Sequence, residues 1–167
     1  MNTLSFRPSM LDLTSGEYEV HLAKCYDLDF LCYMFYCDLM IEINGVRFNG
    51  KQLDGIGILG FLQSLSEGVR ILFFEQNSVA VDLYLESKDN LIVDSIGNEF
   101  VIKTNYSNEC ARIVQADFVN MLFDFANNVF KYCEKLQPVL LEKKVYLDIK
   151  SLILKDMDAI KNHKWGT

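Results

Sequence analysis

The chain has few of the residues that mark a linker, a disulfide framework or a catalytic histidine. Its 167 residues include two prolines, two histidines and one tryptophan. No Ser/Gly-rich or repetitive stretch separates one half from the other, so the sequence predicts one domain over residues 1–167. Half of the residues are hydrophobic. A chain of this length and composition can bury a stable core without disulfides or metal ions.

Long apolar runs and paired cysteines are missing as well. The longest uncharged apolar run covers residues 30–37, whereas a membrane helix needs about 18 such residues or more. The first 16 residues lack the apolar stretch of a secretory signal. The five cysteines form an odd set with no C-x-x-C pair: Cys25, Cys32, Cys37, Cys110 and Cys133. We therefore expect buried, reduced thiols in a cytoplasmic protein that does not bind membranes.

Basic residues are outnumbered by acidic ones. The chain holds 16 Lys and Arg against 23 Asp and Glu, a net charge of −7, and such a field repels the phosphate backbone of nucleic acids. The charge is also segregated, because residues 1–130 carry −10 and residues 131–167 carry +3. One acidic cluster, residues 75–99, contains six acids and one lysine. This pattern disfavours nucleic-acid binding and favours a basic protein partner.

Turn signals and hydrophobic periodicity predict an α+β fold. Asn44-Gly45 lies between two apolar runs and predicts a type I′ hairpin. Helical spacing predicts a short helix over residues 53–66 that stops at Gly68. Strands and their short connections then predict an antiparallel meander, with two helices at the end of the chain. The predicted strands are 69–75, 79–86, 91–94, 100–104 and 110–114, and the predicted helices are 116–136 and 140–160.

The predicted strand 79–86 indicates how the layers are arranged. Its odd-numbered residues Val79, Val81, Leu83 and Leu85 are apolar, and its even-numbered residues include Asp82, Tyr84 and Glu86. Such alternation is typical of a strand with one buried face and one solvated face. We therefore expect an antiparallel sheet whose apolar face is covered by the helix 116–136, with both C-terminal helices on that face.

One motif predicts a different class of protein. The segment 55–60 matches G-x-G-x-x-G, and Glu75 follows at the distance of a ribose-binding acid. The alternative hypothesis is accordingly a small cytosolic enzyme, such as an oxidoreductase that uses a nucleotide cofactor. However, residues 49–54 are not the apolar strand that must lead into the first glycine. We therefore expect no cofactor at this segment.

Other catalytic and metal sites are not indicated. The potential ligands His21, Cys25, Cys32 and Cys37 lack the paired spacing of structural zinc sites. The two histidines, His21 and His163, lie near opposite ends of the chain, and no Gly-x-Ser-x-Gly elbow is present. We expect no catalytic residues, no metal ligands and no enzymatic activity.

The acidic side of the predicted sheet is the candidate binding site. An exposed face with several carboxylates and a tyrosine would steer and contact a positively charged protein. The predicted partner-binding residues are Glu75, Asp82, Tyr84, Glu86, Asp94 and Glu99.

With this hairpin, short helix, meander and pair of terminal helices, the chain resembles the immunity proteins of bacterial polymorphic-toxin and contact-dependent-inhibition systems. The resemblance is in architecture and acidic charge and includes no signature motif. It implies a stoichiometric inhibitor that binds a toxin domain, often a basic nuclease, and blocks its active site or substrate path.

Overall fold

The computed structural model describes residues 2–9, 35–48, 50–83 and 88–163, and these residues form an α+β fold. The strands are β1 (Thr3–Pro8), β2 (Tyr36–Ile43), β3 (Val46–Phe48), β4 (Ile56–Gly57), β5 (Ser78–Asp82), β6 (Asn90–Ile96), β7 (Glu99–Thr104) and β8 (Cys110–Val114). The α-helices are α1 (Ile58–Phe74), α2 (Gln115–Leu136) and α3 (Lys144–Lys161). Two short 3₁₀ turns cover Lys51–Leu53 and Pro138–Glu142.

The first four strands form an antiparallel sheet, sheet A. Strand β2 is central, with β1 along one side and β3 and β4 sharing the other. Asn44 and Gly45 have φ angles of 49° and 81°, and Ile43 pairs with Val46. Two positive φ angles are what a type I′ turn requires. The predicted hairpin is therefore confirmed.

The remaining strands form a second antiparallel sheet, sheet B, in the order β5-β6-β7-β8. This is the meander that the short connections predict. The inner face of the sheet carries buried apolar side chains, among them Val79, Val81, Val93 and Ile102. The expected inward alternation of β5 is confirmed through Leu83, which is also buried, while Leu85 lies outside the described residues.

Helix α1 corrects two predictions. It does not stop at Gly68, and residues 69–74 continue the helix instead of forming a strand. A Cβ atom on Gly68 would lie 3.2 Å from Val81 Cγ2 and 3.4 Å from Val79 Cγ2. Gly68 therefore brings the helix close to β5, which is a packing role that the sequence does not distinguish from a stop. Val69 and Leu72 are both buried and continue the helical period.

Helix α1, and not α2, packs over β5, so the predicted covering helix for that strand is wrong. Helix α2 lies farther along the core. Its Phe118 ring is 5.4 Å from the Phe100 ring of β7, and its Phe125 ring is 5.9 Å from the Phe6 ring of β1 and 6.0 Å from the Phe61 ring of α1. The broad apolar surface of α2 therefore contacts both sheets and joins them in one core.

Helix α3 packs behind the other two helices. Asp156 of α3 forms an ion pair with Arg70 of α1, with 3.0 Å between Oδ1 and Nε. Glu134 of α2 accepts hydrogen bonds from the hydroxyl of Tyr146 at 2.7 Å and from Lys150 Nζ at 2.6 Å. Burial and the hydrogen bond to Glu134 raise the pKa of Tyr146 above its ordinary value. Within the described ranges, no helix is long and apolar enough to cross a bilayer.

Candidate functional site

The outer face of sheet B is the surface on which the predicted binding residues fall. Alternation along each strand places one set of side chains opposite the buried set. Those outer-face residues are Ser78, Ala80 and Asp82 on β5; Ile92, Asp94 and Ile96 on β6; Glu99, Val101 and Lys103 on β7; and Cys110, Arg112 and Val114 on β8. Helices α1 and α2 approach the sheet from its inner side, through Gly68 and Phe118 respectively.

Two carboxylates of this face are held by neighbouring side chains. Asp94 accepts hydrogen bonds from Lys103 Nζ at 2.7 Å and from Ser78 Oγ at 2.5 Å. Glu99 forms an ion pair with Arg112, with 3.3 Å between Oε2 and Nη1. Both contacts follow from the antiparallel register, which sets Ser78 opposite Asp94 and Glu99 two residues along from the partner of Arg112.

The pKa of Asp94 is lowered overall, because the effect of burial is outweighed by its hydrogen bonds and the nearby lysine. Burial alone raises the pKa, but the hydrogen bonds from Lys103 and Ser78 and the charge of Lys103 together lower it below its ordinary value. The same hydrogen bond and charge raise the pKa of Lys103. The pair therefore stays ionised at neutral pH, and Asp94 is fixed in position.

Asp82 is a more exposed carboxylate at the end of β5. Its Oδ1 atom accepts a hydrogen bond of 2.8 Å from the side-chain amide of Asn90, in the amide orientation that satisfies the local network. No ion pair to Asp82 occurs among the described side chains. The Asp82 side chain is therefore exposed to solvent and accessible to a partner.

Glu75 is not on the sheet, although the sequence places it at the end of a strand. It follows the last residue of α1 as the C-cap, and its Oε1 accepts a hydrogen bond from Arg70 Nη1 at 2.8 Å. Tyr84 and Glu86 lie outside the described residues. The structure thus brings Asp82, Asp94 and Glu99 together on one face and separates Glu75 from them.

The bases on this face change its electrostatic character. Three acids and two bases share the outer face, so its described charges sum to −1. Charge counts along the sequence did not place Lys103 and Arg112 next to the acids. The acidic field of the molecule therefore arises more from the whole chain, at −7, than from this face.

The predicted binding residues do not include the exposed apolar residues of the outer face. Ile96 is 52 % exposed and Val114 is 41 % exposed. Val101 is buried yet stands outside the main core cluster. A signal was present in β6, where Leu91, Ile92 and Val93 are apolar at successive positions, so that both faces of the strand carry hydrophobic side chains.

The segment 55–60 does not have the geometry of a dinucleotide fingerprint. Ile56 and Gly57 form β4, which pairs antiparallel with β2, and Gly55, with φ of 65°, donates its N–H to Asp38 Oδ1 at 3.0 Å. Glu75 lies at the far end of α1, about 25 Å from the glycines by the rise of a 17-residue helix. Glu75 therefore cannot reach a ribose bound at the start of the helix.

The described cysteines and histidine do not gather into a ligand set. No group of three or more His, Cys, Asp or Glu suitable for a metal ion occurs in the described part of the chain. Cys37 and Cys133 are buried, but Cys110 is exposed, contrary to the expectation of buried thiols. His163 stacks against Phe73 at 4.9 Å between ring centroids. His21, Cys25 and Cys32 lie outside the described residues.

No protein-family model, curated protein or solved structure matches this chain. The interpretation of the outer face consequently depends on its own residues.

Proposed function

We propose that this protein is a small binding protein that captures a basic protein partner on the outer face of sheet B, as an immunity-type inhibitor captures a toxin domain. One observation carries the proposal: half-exposed apolar residues, Ile96 and Val114, lie on the same open sheet face as ion-paired and free charges. Exposed apolar side chains surrounded by polar ones are typical of protein–protein interfaces.

The apolar and the charged residues of this face contribute differently to binding. Ile96 and Val114 supply apolar area that a partner can remove from water. Asp94 and Glu99 are already held by Lys103 and Arg112, so they lose little side-chain freedom when a partner docks. Their contribution is to orient the partner and not to attract it from a distance.

Long-range attraction comes from the charge of the whole chain. A net charge of −7 raises the encounter rate with a cationic protein, and salt screens that effect over about 10 Å at 0.1 M ionic strength. Asp82, whose carboxylate faces solvent, is the acid of the face best placed to pair with a Lys or Arg of the partner. Binding of this kind is stoichiometric and needs no chemical step.

The test begins with the partner recovered from a lysate of the native cell on the immobilised protein. Its association and dissociation rates are then measured by surface plasmon resonance at increasing salt. We expect Ile96→Asp to weaken affinity by at least about tenfold, because it places a charge in the apolar part of the interface. Asp82→Lys should lower the on-rate about two- to fivefold, with less effect on the off-rate.

Asp148→Lys is the matched control for charge. Asp148 is exposed on α3, and its reversal changes the net charge by the same amount as Asp82→Lys. It should produce a smaller change in on-rate and none in off-rate. A partner that binds all three variants like the wild type would remove the outer face of sheet B from the proposal.

A further inference from the structure

Strand β5 lies at one edge of sheet B, and within the described part of the chain one row of its backbone groups has no strand neighbour. The order of the sheet is β5-β6-β7-β8, so β5 pairs with β6 on one side only. Asn77 C=O accepts from Ser95 N–H at 2.7 Å, and Leu83 N–H donates to Asp89 C=O at 3.2 Å. These bonds assign the odd-numbered residues to the ladder with β6.

The even-numbered residues therefore direct their backbone groups away from β6. They are Ser78, Ala80 and Asp82, and all three are exposed. Their N–H and C=O groups have no backbone partner among the described residues. Edge strands are commonly protected by Lys, Pro or a bulge, and the segment Ser78–Asp82 contains neither residue and pairs with β6 without a break. This edge is suited to accept another strand.

Helix α1 forms one wall beside this edge. Gly68 lies against Val79 and Val81 of β5, so α1 runs directly over the strand. Leu65 and Leu72 are buried, and the rotation of 100° per residue puts both on the same flank of the helix relative to Gly68, the flank that faces the core. By the 100° rotation per residue of a helix, Ile71 then lies on the opposite flank, toward the free edge.

That flank of α1 is partly apolar. Ile71 is partly buried against the core. Phe74, nearly one turn further along, is 52 % exposed, and its ring meets that of His163 edge-on at 5.2 Å. Glu67 is exposed on the same side of the helix. A chain lying along the free edge of β5 would therefore meet apolar side chains on its α1 side and, on the outer face, the carboxylate of Asp82.

We infer that the free edge of β5 is a docking site for an extended segment of the protein partner, which adds antiparallel to sheet B as a fifth strand. This inference rests on the proposed function, because it says how the basic partner engages. The segment that fits has apolar residues at every second position, toward Ile71 and Phe74, and Lys or Arg at the positions between, toward Asp82.

The position of α1 favours such a segment over a second copy of this chain. Two β5 strands paired about Ala80 would lie about 4.8 Å apart. Each would carry its own α1 directly above it, held there by Gly68, and packed helices need about 8 to 10 Å between their axes. An extended segment without a helix over it avoids this collision.

A labelled synthetic peptide of alternating lysine and valine is the probe for the edge. With valines toward α1, the lysine positions face Ser78, Ala80 and Asp82 in hydrogen-bonded pairs, so lysine N–H groups donate to β5. N-methylation of the lysine amides should abolish binding in fluorescence anisotropy, whereas N-methylation of the valine amides should preserve it. Both peptides have the same charge and apolar content. Equal binding of the two, or loss confined to the valine-methylated peptide, overturns the inference.

Two substitutions at Ala80 test the same edge from the protein side. Ala80→Pro removes an N–H that points to the free edge and leaves the ladder with β6 intact. It should weaken binding of the peptide at least about tenfold, since it removes the hydrogen bond donated by residue 80 and its ring occupies the space that the incoming strand needs. Ala80→Thr keeps the N–H and should bind within about twofold of wild type. Similar affinity of the two variants contradicts strand addition.

Amide exchange measured by NMR on the full chain identifies the occupant. The peptide should slow exchange at Ser78, Ala80 and Asp82 and leave Val79 and Val81, already bonded to β6, unchanged. Protection of the three amides in the protein alone overturns the inference: a dimer in ultracentrifugation would assign the edge to a second copy, and a monomer to another segment of this chain. If Ile96→Asp abolishes capture of the natural partner but Ala80→Pro does not, the edge inference fails and the proposed function stands.

Discussion

Sheet A and sheet B each have four antiparallel strands among the described residues, yet the charges on their outer faces have different partners. In sheet A, Asp38 accepts from the backbone N–H of Gly55 at 3.0 Å and from Arg7 at 3.2 Å, so it ties β2 to the chain that enters α1. In sheet B, the hydrogen bonds and ion pairs that Asp94 and Glu99 accept all come from side chains of the same face. The carboxylate of Asp38 thus holds two segments of the fold together, whereas those of Asp94 and Glu99 bond only to neighbouring side chains on the sheet surface.

The two sheets meet at the β2–β3 hairpin. Asn44 Nδ2 donates to the carbonyl of Arg112 in β8 at 2.6 Å, and the backbone N–H of Asn44 donates to Asn2 Oδ1 at 2.8 Å. The turn that connects two strands of sheet A is therefore also bonded to sheet B. In the core, Phe125 of α2 links sheet A to α1 through the rings of Phe6 and Phe61.

The largest effect is expected from removing that link. Phe125→Ala should lower the free energy of unfolding by about 3 to 5 kcal/mol, because loss of a fully buried ring leaves a cavity between sheet A and α1. Urea unfolding followed by circular dichroism measures it. Asn128→Ala, on the exposed side of the same helix, is the control and should change stability by less than about 0.5 kcal/mol. A loss under about 1 kcal/mol for Phe125→Ala would place the ring outside the shared core.

A smaller loss of stability, confined to sheet B, is expected from disturbing the contact between α1 and that sheet. Gly68→Leu should cost about 1 to 3 kcal/mol, since its side chain would enter the space filled by Val79 and Val81. Leucine is a better helix former than glycine by about 0.8 kcal/mol, so helix propensity opposes this loss. Glu67→Leu on the exposed side is the control and should not destabilise, because glutamate and leucine have similar helix propensities. Amide exchange should quicken in β5 more than in β2. Equal acceleration in both strands would contradict a contact confined to sheet B.

The smallest effect compares the carboxylates of the two outer faces. Burial alone raises the pKa of Asp38, but hydrogen bonds from Gly55, Ser9 and Arg7 together lower it. A lowered pKa in the folded state stabilises the protein above the ordinary carboxyl pKa of about 3.9, and this stabilisation is lost as pH falls through the folded-state pKa. Asp94 follows the same sign.

Asp38→Asn should therefore cost about 1 to 2 kcal/mol at neutral pH, because a charged acceptor of a backbone N–H is replaced. Asp94→Asn should cost less than about 1 kcal/mol, since its partners are surface side chains. Both costs should shrink toward zero as pH falls through the lowered folded-state pKa of each carboxyl, as measured by urea midpoints across the acid range. A larger cost for Asp94→Asn than for Asp38→Asn would reverse the comparison between the sheets.

Local patterns predicted the parts of this fold that depend on near neighbours in the chain. Asn44-Gly45 specified a hairpin, since few other residues adopt both positive φ angles. The short connections of residues 88–114 specified the meander, because parallel neighbours need long crossovers. Helix 116–136 was predicted within one residue of α2 at each end, and its broad apolar surface indicated burial.

Contacts between distant segments decided the rest. The sequence shows that Gly68 lacks a side chain, but only the approach of Val79 and Val81 makes it a packing position within α1 and not a stop. It shows six acids between residues 75 and 99, but the pairing of β6, β7 and β8 brings Lys103 and Arg112 beside them. The covering of β5 by α1, and its free outer edge, likewise follow from the packing of whole elements. Backbone conformation and alternation are properties of a few consecutive residues, whereas the neighbours of a face or an edge are set by which surfaces are buried together when the chain folds.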